Sequence, residues 1–207
     1  MTYALKLFVL ICGSVLLVSV SAYAQTVDAR GPNREATTRV DAGHGGSIGK
    51  KLQVSVSVEV PHSAANSDGT YDVVFLLTNI GDTDLVLPIS PHPRDFEVGD
   101  PPKSYSVKHL SLYLTTDKQP DVALWGAHLY GNPTVQVSLT TLRVAATLRV
   151  LAKLTIPSDT GRRSVTAHAV LNVEMIKSEN GEVSADTEEI GSAHSRTFDL
   201  NVLMSGN

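Results

Sequence analysis

Asp72-Val73-Val74-Phe75-Leu76-Leu77-Thr78-Asn79-Ile80-Gly81-Asp82-Thr83-Asp84-Leu85-Val86-Leu87-Pro88-Ile89-Ser90 decides how the chain is read. Val73, Phe75 and Leu77 fall on one face of an extended segment and Val74 and Leu76 on the other, so the spacing predicts a strand buried on both sides. Asn79, Gly81, Asp82 and Asp84 supply residues that tolerate tight-turn backbone angles and hydrogen-bond their own backbone. Leu85, Leu87 and Ile89 then resume the alternation, which reads as a central hairpin.

Working outward, Leu52, Val54, Val56, Val58 and Val60 alternate with Gln53, Ser55, Ser57 and Glu59, the period-two signature of a half-buried strand. Residues 61–70 form a polar loop containing Asp68-Gly69. Residues 91–104 carry Pro91, Pro93, Pro101 and Pro102, which preclude regular pairing; a loop of that length is a binding surface or mobile. Leu110, Leu112 and Leu114 alternate with His109, Ser111 and Tyr113, and Val135, Val137 and Leu139 alternate with Gln136, Ser138 and Thr140. Each pattern predicts a strand with one wet face. Leu148, Val150, Ala152, Leu154 and Ile156 alternate too; residues 142–154 also contain good helix formers, but Thr155 and Pro157 favour a strand. In the next run Val165, Ala167, Ala169, Leu171, Val173 and Met175 oppose Ser164, Thr166, His168, Asn172 and Glu174. Asn180-Gly181 marks a turn, 184–195 reads as a polar loop, and Phe198, Leu200, Val202 and Met204 predict a last strand.

At the start of the chain, Lys6 precedes the apolar run Leu7 to Val20, and Ala22-Tyr23-Ala24 follows. This is the layout of a secretory signal peptide, 1–24, cleaved before Gln25. An uncleaved anchor is the competing reading, and Ser14, Ser19 and Ser21 count against it. Cys12, the only cysteine, lies inside this segment behind bulky Ile11, where a lipid-attachment signal wants a small residue. The mature chain therefore has no cysteine and must be held together by a packed core, although export would permit disulfides. Cleavage removes Lys6 and no acid, taking the net charge from −4 to −5. Such a chain offers no electrostatic case for nucleic acid or an anionic membrane surface. Residues 51–207 are long enough for one domain with a sizeable core.

Between these parts, 25–50 has no apolar periodicity and ends in Gly43-His44-Gly45-Gly46-Ser47-Ile48-Gly49, so it predicts a flexible leader. Gly45, Ser47 and Gly49 match the hydrolase pattern Gly-x-Ser-x-Gly. That chemistry needs a strand before the serine and a helix after it, whereas a flexible leader precedes Ser47 and a strand follows. Catalysis by Ser47 is the outlying alternative. The seven histidines, His44, His62, His92, His109, His128, His168 and His194, show none of the paired spacings that bring two imidazoles onto one metal. His92, Asp95 and Glu97 lie close together in the proline-rich loop, but loop solvation accounts for them without an ion. No cofactor motif is present.

Trp125, the only tryptophan, sits with His128 and Tyr130 between Pro120 and Pro133, on a segment broken by Gly126 and Gly131. Aromatic residues on such a segment look like interface anchors; the more ordinary account is that Trp125 simply covers the end of the core, as large aromatics often do.

About eight short strands with no helix predict an all-β, antiparallel two-sheet β-sandwich. Phe75 to Leu87, through Leu77-Thr78-Asn79-Ile80-Gly81, resembles the Leu-Thr-Asn-x-Gly signature of immunoglobulin-like modules in exported bacterial proteins. It is also similar to the bacterial proteinase-inhibitor type of sandwich. There a leucine and a Pro-Gly-Glu turn come later, where this chain has Leu142 and Ala145-Ala146-Thr147. The resemblance implies an immunoglobulin-like fold more than an activity. The expectation is an exported, extracytoplasmic protein, periplasmic or secreted, that does no chemistry. It binds a protein partner of the envelope or the cell exterior through Trp125, His128 and Tyr130, with no metal, no cofactor and no membrane insertion after cleavage.

Overall fold

The computed structural model describes residues 24–30, 51–59, 70–92, 104–117, 119–155, 164–179 and 182–200. Residues 1–23 of the expected signal peptide, the Ser47 motif, and Asp95 and Glu97 of the proline-rich loop lie outside them. The described chain is all-β: β1 (Gln25–Asp28), β2 (Val54–Glu59), β3 (Thr70–Asn79), β4 (Leu85–Pro88), β5 (Ser104–Thr116), β6 (Gln119–Gly131), β7 (Leu139–Leu142), β8 (Thr147–Thr155), β9 (Ser164–Glu179), β10 (Glu182–His194) and β11 (Phe198–Asp199). They form a sheet of order β1-β8-β3-β2, a sheet of order β10-β9-β5-β6 with β11 beside β9, and the pair β4-β7. None of the sheets closes on itself. All pairings are antiparallel except β1 with β8.

The alternation of β2 is realised residue by residue, with Val54, Val56 and Val58 buried and Ser55, Ser57 and Glu59 exposed. In β3, Val73, Val74, Phe75 and Leu77 are buried and Leu76 is half-buried, as the two-sided apolar pattern predicts. The central hairpin does not form. Both edges of β3 are occupied, by β2 from Val54↔Asn79 to Glu59↔Val74 and by β8 from Thr70↔Thr155 to Thr78↔Thr147. No edge is left for β4, so the chain crosses after Asn79 and β4 pairs with β7, Leu87 against Thr140. Asn79, 1 % exposed, fixes this crossing: Nδ2 donates to the carbonyls of Thr83 (2.9 Å) and Leu142 (3.0 Å), and Oδ1 accepts from the Gly81 amide (3.0 Å).

One core joins these layers. Val73, Phe75 and Leu77 of β3 and Leu148 and Val150 of β8 belong to the same buried cluster as Leu110, Leu112 and Leu114 of β5, Leu129 of β6 and Ala167 and Ala169 of β9.

Four further expectations change. Residues 25–28, read as leader, are strand β1: it runs parallel to β8, Val27 and Ala29 enter the core, and Arg30 reaches Asp28 at 2.7 Å and Asp72 at 3.3 Å. A lone short parallel strand with one buried position in four carries no readable period. The Trp125 segment, read as irregular, is the thirteen-residue strand β6. It is the edge of its sheet, where Pro120 withholds no ladder donor that the sheet needs. Residues 184–195, read as a loop, are mostly strand β10, another edge; Ser184 to Glu189 are exposed on both faces, so alternation vanishes. Conversely, Val135 to Ser138 are not strand. The Asn132 side chain accepts from the Thr134 amide (2.9 Å), Asn132 and Val137 bridge each other's backbone, and Gln136 and Ser138 take positive φ of 56° and 54°. The 142–154 ambiguity resolves to strand, at β8.

Gly131 ends β6 under a close backbone approach: an added Cβ would lie 2.8 Å from the Ser138 carbonyl oxygen and 2.6 Å from Leu139 Cδ2. Leu139 can turn aside but the carbonyl cannot, so Gly131→Ala is expected to lower stability by roughly 1–3 kcal/mol, measured by urea denaturation.

Candidate functional site

Strand pairing builds the site on the face of the β10-β9-β5-β6 sheet that points away from the core. Leu110, Leu112 and Leu114 take the inner face, so His109, Ser111, Tyr113 and Thr115 take the outer one. Across the ladder His109 opposes Tyr130 and Asn172, Ser111 opposes His128, and Tyr113 opposes His168, which in turn opposes His194. Six rings from four strands therefore share one surface. His109, Tyr113, Tyr130 and His168 are half-buried, while His128 and His194 are exposed.

The rings form two groups. In the first, the Tyr130 ring centre lies 6.3 Å from His109 and 6.4 Å from His128. Ser111 Oγ is 3.0 Å from His128 Nδ1, and Asn172 Nδ2 donates to His109 Nε2 at 2.9 Å. In the second group Tyr113 stacks on His168 at 4.8 Å with planes 10° apart, His194 lies 6.2 Å beyond, and Thr115 Oγ1 is 2.8 Å from His168 Nε2.

His109, His128, His168, Tyr113 and Tyr130 are each held toward their neutral form by their surroundings. Because the Asn172 amide nitrogen can only donate, His109 must present a lone pair to it, and burial lowers the His109 pKa against an opposing pull from Glu174. His128 keeps part of its surface in water, yet the surrounding strands desolvate it and His109 repels its charged form, so its pKa also falls. Burial lowers His168 as well, helped by His194. Burial raises both phenols, assisted by Glu189 at Tyr113 and Glu174 at Tyr130, so both remain hydroxyl donors.

The sign of the pH effect follows. With folded-state pKa values below the ordinary imidazole value of 6.5, the unfolded chain binds more protons than the folded one near and below that pH. Stability is full above pH 6.5 and declines as the pH falls toward and through the depressed values. Thermal melts from pH 8 to pH 5 are expected to show a falling Tm, with a shallower fall in His109→Gln. A Tm that rises on acidification contradicts the lowered imidazole values.

Of the three anchors expected from sequence, the structure places His128 and Tyr130 together on this face. Trp125 lies on the same strand, in register with Leu114 of β5. His109, Tyr113, His168 and His194 were not singled out as site residues. The available signal was the place of His109, Tyr113 and His168 at the wet positions of alternating strands; His194 falls in a run without alternation. Their convergence depends on the register among β5, β6, β9 and β10. Among the described residues, no group of three or more His, Cys, Asp and Glu side chains could hold a metal ion, and no helix is long and apolar enough to cross a membrane.

Ser111 and His128 touch as a nucleophile and base would, but Ser111 lies mid-strand with β6 and β9 on either side. Its neighbouring amides serve the ladder instead of forming an oxyanion hole. What the face offers is amphipathic rings with hydroxyl and imidazole groups at their tips. No family model matches the chain, and neither a curated protein nor a solved structure matches it.

Proposed function

We propose that the protein is a non-enzymatic binding module of the immunoglobulin-like β-sandwich kind, exported from the cell, which docks a protein partner on the outer face of the β10-β9-β5-β6 sheet. The observation that carries this reading is the gathering of His109, His128, Tyr130, Tyr113, His168 and His194 on one partly exposed surface. Tyrosine combines large apolar area with a polar tip and few rotatable bonds, which suits it to interface anchoring. The rings are already held by one another and by Ser111, Thr115 and Asn172, so little ordering entropy opposes docking. Export rests on the Lys6, Leu7 to Val20 and Ala22-Tyr23-Ala24 pattern.

A pull-down from the native envelope and culture medium, with the chain from Gln25 onward as bait, tests the reading. Tyr130→Ala is expected to weaken a captured partner by at least ~2 kcal/mol, about thirtyfold, as truncated anchors do. A partner that binds Tyr130→Ala and Tyr113→Ala as tightly as the parent chain removes this face from the proposal.

A further inference from the structure

We infer that Gln25, once it is the first residue, closes on itself to pyrrolidone carboxylate, with the Thr140 hydroxyl holding the side-chain oxygen through the reaction. The inference rests on export with cleavage before Gln25.

Strand β1 begins where that cleavage falls. Gln25 is its first residue, in register with Leu148 of β8, while Ala24 is exposed and lies outside the strand. Val27 and Ala29 then anchor the segment in the core. Gln25 itself is exposed, and its Oε1 accepts a hydrogen bond from Thr140 Oγ1 of β7 at 2.5 Å.

Ring closure needs an amine with a free lone pair. A chain-terminal amine has an ordinary pKa of about 7.7–8.0, so part of it is neutral at neutral pH. Its nitrogen attacks the side-chain Cδ: the N–Cδ bond forms, the Cδ–Nε2 bond breaks, and Nε2 leaves as ammonia with a proton from the α-nitrogen. No other reactant is required. As the amine adds, negative charge gathers on Oε1, and the Thr140 hydroxyl already points at that atom. The product suits the strand. The lactam keeps Oε1 as the acceptor for Thr140 and turns a charged ammonium back into a neutral N–H, the state of a residue within a chain. It also leaves aminopeptidases no free amine from which to strip Val27 and Ala29 out of the core.

Mass spectrometry of the exported protein should find an N-terminal peptide that starts at Gln25 and is lighter by one ammonia. The chemistry is followed apart from export on chain freed at Gln25 by a site-specific protease, as loss of the terminal amine at pH 8. Thr140→Val should slow that loss roughly three- to tenfold, the rate equivalent of one hydrogen bond, and Thr140→Ser, which keeps the hydroxyl, should match the parent. Gln25→Asn, too short to close an unstrained ring, should keep its amine. An exported chain that starts elsewhere refutes the cleavage reading, and the modification of the natural protein with it. A chain that starts at Gln25 and retains its amine overturns the inference while leaving export intact, and equal rates in the parent and Thr140→Val overturn the part given to Thr140.

Discussion

Asn79→Ala is expected to lower the unfolding free energy by about 3 kcal/mol, more than the deletion of so small a side chain suggests. The side chain makes three hydrogen bonds, and the mutation leaves their partners unevenly served. The Thr83 carbonyl sits on an exposed turn residue and can turn to water, at little loss. Leu142 is 3 % exposed, so its carbonyl loses its donor where water does not reach. An unsatisfied buried polar group costs roughly 1–3 kcal/mol, and the Gly81 amide loses its acceptor too. Asn79→Asp separates the parts: it keeps an acceptor for Gly81 but sets a carboxylate against two carbonyl oxygens. It should therefore destabilise at least as much as alanine. Urea denaturation of both variants decides it, and a loss below about 1 kcal/mol for Asn79→Ala means the crossing is held by something else.

The same residue shows how far sequence reading carries. Asn79 was legible as a turn residue because Asn, Gly and Asp cluster there. Its reach to Leu142 was not, since that contact joins β3 to β7 across more than sixty positions. Strands with one dry and one wet face, such as β2 and the Leu110 to Leu114 part of β5, announce themselves through period two. Edge strands wet on both faces do not, which is why β10 looked like a loop. β6 was hidden differently, behind Pro120 and Gly126, residues an edge tolerates and an interior strand does not. The face bearing the six rings was half legible. His109, Tyr113 and His168 stood at wet positions of alternating runs, whereas His128, Tyr130 and His194 lay on segments without a readable period, and which runs lie side by side is a property of register. His168 and His194 are the plainest case: no local spacing relates them, and one ladder rung brings them together.

Phe75→Ala should have the largest effect of any single truncation, roughly 3–5 kcal/mol. Phe75 is fully buried in the central part of β3, opposite Val58 on one side and Val150 on the other. Both partners are themselves buried and belong to the common core. Neighbouring strands hold the backbone of β3 from both edges, so it cannot collapse into the space the ring leaves. A cavity remains, and its cost adds to the lost transfer energy. The distribution of the loss matters as much as its size. Leu110, Leu112 and Ala169 belong to the other sheet yet share the Phe75 cluster, so the two sheets should unfold together. Native-state hydrogen exchange reads this directly: the slowest amides of β5 and β9 should lose protection by the same amount as those of β3 and β8. If protection drops in β3 and β8 while β5 and β9 keep theirs, the sheets are separate cooperative units, and the single core inferred from their packing does not govern stability.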